Sequence, residues 1–177
     1  MLFNFFKSKS KQTPSTDKLP GIVKFGRFSD SDKNQFQLDN WKKAEACFKE
    51  RKYADCLEAF LNYIRDEKSE NVRFSRTGEQ FEFEILQGSK IVRAKSDGKH
   101  IEAEAQLALM EKSSVAIMRR MLEMSYKLNY CRFALKDNIL CIKFDTSVES
   151  ANPNKLYYGL KELATKADKQ DDQLLSD

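Results

Sequence analysis

A chain of 177 residues, 41% of them hydrophobic, is long enough for one domain of ordinary size with a real core, plus flanking arms. Its net charge of +4 sits unevenly: residues 1–27 carry six basic side chains against one acidic (+5), residues 165–177 carry two against four (−2), and the body is left near neutral at +1, which argues against a nucleic-acid surface. No apolar run approaches the ~20 residues that cross a bilayer, and a secretory signal with its ~7 to 15-residue apolar stretch is lacking, so a cytoplasmic location is expected.

Residues 1–20 read as a flexible arm. Leu2, Phe3, Phe5 and Phe6 precede Lys7, Lys9 and Lys11, an order that suits an anionic membrane interface, with rings at the acyl boundary and lysines at the headgroups. The alternative is an arm whose aromatics dock on the body. From Gly21 to Asn40 the composition is loop-like but includes Phe25, Phe28 and Phe36, which predicts a lead-in packed along a surface.

Helical periodicity begins near Leu38, with Trp41, Ala44, Cys47 and Phe48 on one face. It breaks at Lys49 to Lys52 and resumes with Tyr53, Cys56, Leu57, Phe60, Leu61 and Ile64 inward. This predicts an antiparallel helix pair over about 38–65. The pair is similar to one tetratricopeptide-type unit, but such a solenoid buries its faces only with about three units and no repeat follows.

A strand block follows over about 71–110. Phe81, Phe83 and Ile85 alternate with Glu82 and Glu84, and Ile101, Ala103, Ala105, Leu107 and Leu109 alternate with Glu102, Glu104 and Gln106: the signature of half-buried antiparallel sheet. Gly78, Gly88 and Gly98 fall ten residues apart, one at each corner of a meander, and Asp97-Gly98 suits a type I′ hairpin turn. The paired glutamates resemble an acid/base pair superficially; with Lys90, Arg93 and Lys95 on the neighbouring strand they are expected to form cross-strand charge pairs on a solvated face.

The next helix, 113–128, is the most unusual element. Ser113 or Ser114 suits its N-cap, and Val115, Ile117, Met118, Met121, Leu122, Met124, Ser125 and Leu128 cover well over half its circumference, leaving Arg119, Arg120, Glu123 and Lys127 as a polar stripe. One sheet cannot bury so wide an arc, so a second apolar surface is expected to face a partner or a second copy. Four of the five methionines lie within residues 110–124, and thioethers adapt to variable partners. A hairpin over 130–145, turning at Lys136 to Asn138, and a helix opened by Asn152-Pro153 and running to about 167 complete the domain. An acidic tail, 168–177, is expected to fray.

The expected fold is α+β: an antiparallel sheet of meander plus hairpin with helices packed on it, in the order αα-βββ(β)-α-ββ-α, forming a single domain over 21–167. From about Ala44 to Leu163 this order resembles the type III secretion chaperone-like fold, in particular its YbjN-type branch. The resemblance is carried by Arg120 to Asn129, a Leu/Met-rich helix, followed by the strand Cys131 to Leu135 and its mate Leu140 to Phe144. It implies a non-enzymatic, protein-binding domain, often dimeric, with no catalytic residues to transfer.

Chemistry-bearing motifs are sparse. The one histidine, His100, has no second histidine or nearby cysteine and reads as a surface residue at a strand start. The six glycines form neither GxGxxG nor a phosphate-cradling loop. Cys47, Cys56, Cys131 and Cys141 lack CxxC spacing and read as reduced thiols. No catalytic residue, metal or cofactor is therefore expected. The expected function is a non-catalytic protein-binding or chaperone-like module using Ile117, Met118, Met121, Leu122, Met124 and Leu128 for a protein partner or homodimer. The alternative is a membrane-peripheral scaffold held by residues 2–11.

Overall fold

The computed structural model describes residues 33–66, 69–110 and 115–175, with side chains through Lys169. The arm, the Phe25 and Phe28 of the lead-in, and the serines expected to cap α3, Ser113 and Ser114, lie outside the described residues.

The helix pair consists of α1 (Gln35–Lys49) and α2 (Tyr53–Ile64). α1 starts three residues before Leu38, so the end of the expected lead-in is helical. The reason is a capping box: Asn34 Oδ1 accepts the Gln37 backbone N–H at 2.9 Å and Gln37 Oε1 accepts that of Asn34 at 3.1 Å. Between the helices Arg51 takes a left-handed φ of 61°, which closes the break in three residues. Cys56, Leu57, Phe60, Leu61 and Ile64 are buried and Tyr53 is half-buried; on α1 only Ala44 of the expected face is fully buried, with Trp41, Cys47 and Phe48 half-covered.

The strands β1 (Val72–Thr77), β2 (Gln80–Gln87), β3 (Lys90–Ser96), β4 (His100–Leu109), β5 (Arg132–Lys136) and β6 (Ile139–Ser147) form one antiparallel sheet in the order β1-β2-β3-β4-β6-β5. The chain leaves β4, passes through α3 (Val115–Ser125), lays β5 at the far edge and returns as β6 in the gap. The fold is therefore the α+β arrangement expected, with helices on a six-stranded antiparallel sheet among the described residues.

Period-2 patterning puts Phe81, Phe83 and Ile85 in the core at 2% exposure or less and turns Glu82 and Glu84 outward. On that outer face Arg93 pairs with Glu84 at 3.3 Å, Lys95 with Glu102 at 3.6 Å, and Lys143 with Glu104 at 3.9 Å, while Arg132 pairs with Asp145. These exposed pairs add little stability each, but they keep the face polar and fix its register.

Two local features of the sheet differ from expectation. Leu109 is 60% exposed, because a bulge between Gln106 and Ala108 shifts the register; beyond it Leu109 sits opposite Ile139 and off the core face. The turn at Asp97-Gly98 is not type I′. Only Gly98 has positive φ, and Asp97 Oδ1 instead accepts the backbone N–H groups of Lys99 (2.8 Å) and His100 (2.7 Å). The hairpin with left-handed backbone at both central residues, as type I′ requires, is Asp137-Asn138.

The last helix, α4 (Pro153–Leu175), does not stop near Ala167. It holds no glycine or proline after Gly159, and its Lys, Gln and Leu residues are good helix formers, so the backbone carries the acidic stretch along. α4 lies across β4, β3, β6 and β2 and buries Leu156, Leu160, Leu163, Ala164 and Ala167. Trp41, Tyr63 and Tyr157 form a ring cluster with centroids 4.7–6.4 Å apart that joins α1, α2 and α4.

Gly159 sets the height of α4 above the sheet, since a Cβ there would run into the ring of Phe144. Ala normally stabilises a helix interior over Gly by about 1 kcal/mol, but here the order inverts. Gly159→Ala is expected to destabilise the protein by about 1–3 kcal/mol in chemical denaturation, the usual cost of overpacking.

Candidate functional site

α3 is the helix whose apolar arc exceeds what its neighbours cover. Its main contacts are with α4 and β5. Of the six residues expected to form a partner surface, the fold separates two rows. Met121, Met124 and Leu128 pack against the core, and Ile117 is half-buried. Met118 and Leu122 face outward at 54% and 72% exposure. The inner row is thus accounted for by the domain itself, whereas the outer row is extended by Val115 (82%) and Tyr126 (92%) into one stripe at i, i+3, i+7 and i+11. No side chain of α3 is fully buried.

Between the two rows and the sheet edge lies a shallow apolar groove of about 300 Å³, lined by Met118, Met121, Leu122, Ser125 and Phe133. Phe133 pairs with Ile142 and Leu135 with Leu140, so both look toward the core side of the sheet; Leu135, at the outermost edge, is 61% exposed.

The connection from α3 to β5 is held by one carboxylate. Glu162 Oε1 accepts the Asn129 N–H at 2.9 Å, and its Oε2 accepts those of Tyr130 at 2.7 Å and Cys131 at 3.0 Å. Partial burial pushes the Glu162 pKa up, but the backbone donors of Asn129, Tyr130 and Cys131, with the Cys131 thiol, outweigh it and hold the carboxyl below its ordinary value. The Cys131 Sγ lies 3.5 Å from the Gly159 carbonyl. Glu162 therefore ties the orientation of α3 to α4, and through Gly159 to the sheet.

The other candidates sit elsewhere. His100 is exposed at the start of β4, on the rim of a second shallow hollow of about 250 Å³ that Phe81, Lys95, Asp97 and Glu102 help to line. Among the described residues no three His, Cys, Asp or Glu side chains are grouped to hold a metal ion. All four cysteines are free; burial pushes the Cys56 thiol up to about 12, and raises the Cys131 and Cys141 thiols as well, which makes them poor nucleophiles at neutral pH. Leu2, Phe3, Phe5, Phe6, Lys7, Lys9 and Lys11 lie outside the described residues. Among the described residues no helix is long and apolar enough to cross a membrane.

Tyr126, Phe133, Leu135 and Glu162 belong to this region without having been singled out by sequence. Tyr126 was within reach, since it continues the row Met118, Leu122 by one further turn. No local pattern marks Glu162, whose partners are 31 to 33 residues away. No family model matches this chain, and no curated protein matches it.

Glu162→Gln keeps one acceptor but loses the charge, and is expected to cost about 1 kcal/mol at pH 7, as for a helix-capping carboxylate. Because the folded carboxyl titrates below 4.5, its contribution is complete above that value and fades as pH falls through the depressed folded pKa. Denaturation curves of parent and variant should therefore converge in acid. A constant gap down to pH 2 would contradict the assignment.

Proposed function

We propose that this protein is a non-catalytic protein-binding module that presents the outer row of α3 and the adjoining edge of β5 to a protein partner. The observation that carries this is the uninterrupted exposed stripe Val115, Met118, Leu122 and Tyr126 beside an apolar groove. A single exposed leucine is ordinary on a protein surface, but four large apolar side chains aligned along α3 and the residue that follows it, with Leu135 exposed on the neighbouring β5, form a patch of the kind that marks an interaction site. The methionines at 118 and 121 add a deformable lining that tolerates partners of different shape.

The resemblance of the segment Arg120 to Phe144 to the YbjN-type branch of the secretion chaperone-like fold supports the same class of role. So does the element order, with a crossover helix beside a two-stranded edge hairpin. Whether the partner is a second copy or a different protein is a matter of what fits the patch.

The two rows of α3 give separable variants. Leu122→Glu places a charge in solvent and is expected to change stability by less than about 0.5 kcal/mol, while Met124→Glu inserts one against the core and is expected to cost about 2–4 kcal/mol. A photo-crosslinking amino acid at position 122, introduced in the living cell, should give a protein adduct that the same group at Lys95, on the charged outer face, does not. Equal labelling at both positions would remove the proposal.

A further inference from the structure

We propose that α3 is a lid: it opens as one unit from a body that stays folded, and Glu162 is the latch that holds it shut. The motion is a property of the chain itself and needs no partner on the outer row.

The lid is one stiff piece. Helical hydrogen bonding runs past Ser125, where the Tyr126 N–H donates to the Leu122 carbonyl at 3.1 Å, and tighter turns follow from Lys127 to Met124 (3.0 Å) and from Leu128 to Ser125 (3.1 Å). Residues 115–128 therefore move together. The crossover is tied to the body on both sides of that piece. On leaving β4, Met110 donates its N–H to the Asn138 carbonyl at 2.7 Å. On the other side Asn129, Tyr130 and Cys131 donate theirs to the Glu162 carboxylate. The pairing of β5 with β6 begins at the next residue, Arg132, so release of the three donors gives up no sheet pairing.

What holds the lid is slight beside what holds the body. No side chain of α3 is fully buried, whereas α2 buries seven and α4 buries Leu156, Leu160, Leu163, Ala164 and Ala167. Even the inner row, Met121, Met124 and Leu128, is only partly covered. The free energy of a local opening follows the apolar surface it returns to water, so α3 separates before the other helices do. A single carboxylate that accepts three main-chain donors is then a large share of what keeps α3 closed, since bonds to an ionised group are about twice as strong as neutral ones. Glu162 stands on α4 between Leu160 and Leu163, both at 0% exposure, so the latch stays with the sheet when α3 leaves. Opening uncovers Met121, Met124 and Leu128 together with Phe133, which the closed form packs against the core.

The test is amide hydrogen exchange, followed by NMR on the full-length protein. The amides from Arg119 to Ser125 should exchange together with those of Tyr130 and Cys131 in one shared opening, at least ~10-fold more populated than the opening that exposes Phe60 and Leu61 of α2. Two variants separate this from global unfolding. Ile64→Val trims a buried side chain of α2 and should lower protection in α2 several-fold. It should leave the α3 group within ~2-fold of the parent, because α2 stays packed when the lid is open. Glu162→Gln should lower protection of the α3 group ~5-fold. Loss of α3 protection in Ile64→Val as large as that in α2 would mean that only global unfolding releases α3. Protected Tyr130 and Cys131 amides beside a fast-exchanging α3 would mean fraying behind a closed latch, and an α3 group unmoved by Glu162→Gln would remove the latch. Each of these results overturns the proposal and leaves the binding role to the crosslinking result at position 122.

Discussion

The close approach of α4 to the sheet is the contact on which the rest of the molecule depends. Where most helices keep a side chain's width from a sheet, Gly159 lets the α4 backbone settle against the ring of Phe144. That height lets Leu156, Leu160 and Leu163 reach the strands and leaves room only for small residues further along, at Ala164 and Ala167. Because α4 is 23 residues long, one rigid rod set at one height places several distant groups at once. Tyr157 meets Trp41 and Tyr63 and so seats the helix pair, and Asp168 reaches the β2–β3 turn at Gly88. Glu162 catches the loop that leads into β5.

The position of α3 follows from what the others have taken. The outer face of the sheet is closed to it by a ladder of ion pairs, and α4 occupies the middle of the inner face. What is left is the strip over β5, where α3 packs. An apolar helix on such a strip buries one row of side chains and leaves the other in water. Surface left wet contributes nothing to folding, and covering it would gain roughly 25 cal/mol per Å².

Polar groups inside the domain follow the same economy of position. Asn71 is buried, and its side chain joins the end of α2 to the start of the sheet by accepting the Asp66 N–H at 2.7 Å and donating to the Ile64 carbonyl at 3.0 Å. Arg76 sits at the β1 edge, over the ring of Phe81, and binds Asp55 and Glu58 of α2. Asn71 satisfies main-chain groups left open where α2 ends, whereas Arg76 ties the sheet edge to α2 through side chains.

The amino-acid sequence by itself determined the element types, their order and the sheet's inner face, because alternation in β2 and β4 and the 3.6-residue spacing in α2 are local patterns that burial of a single face enforces. The glycines at 78, 88 and 98 marked the corners for the same reason: each takes a positive φ there. Tertiary structure decided the rest. The bulge that turns Leu109 outward depends on β4 meeting β6, a pairing made across some forty residues of chain. Asp137-Asn138 bends as type I′ where Asp97-Gly98 does not, because Asp97 found a closer use as an acceptor for Lys99 and His100. Above all, the two apolar rows of α3 look alike in sequence, each a run of apolar residues at helical spacing. Which row is buried and which is offered outward is settled by where α4 and β5 stand, and no property of residues 115–128 encodes it.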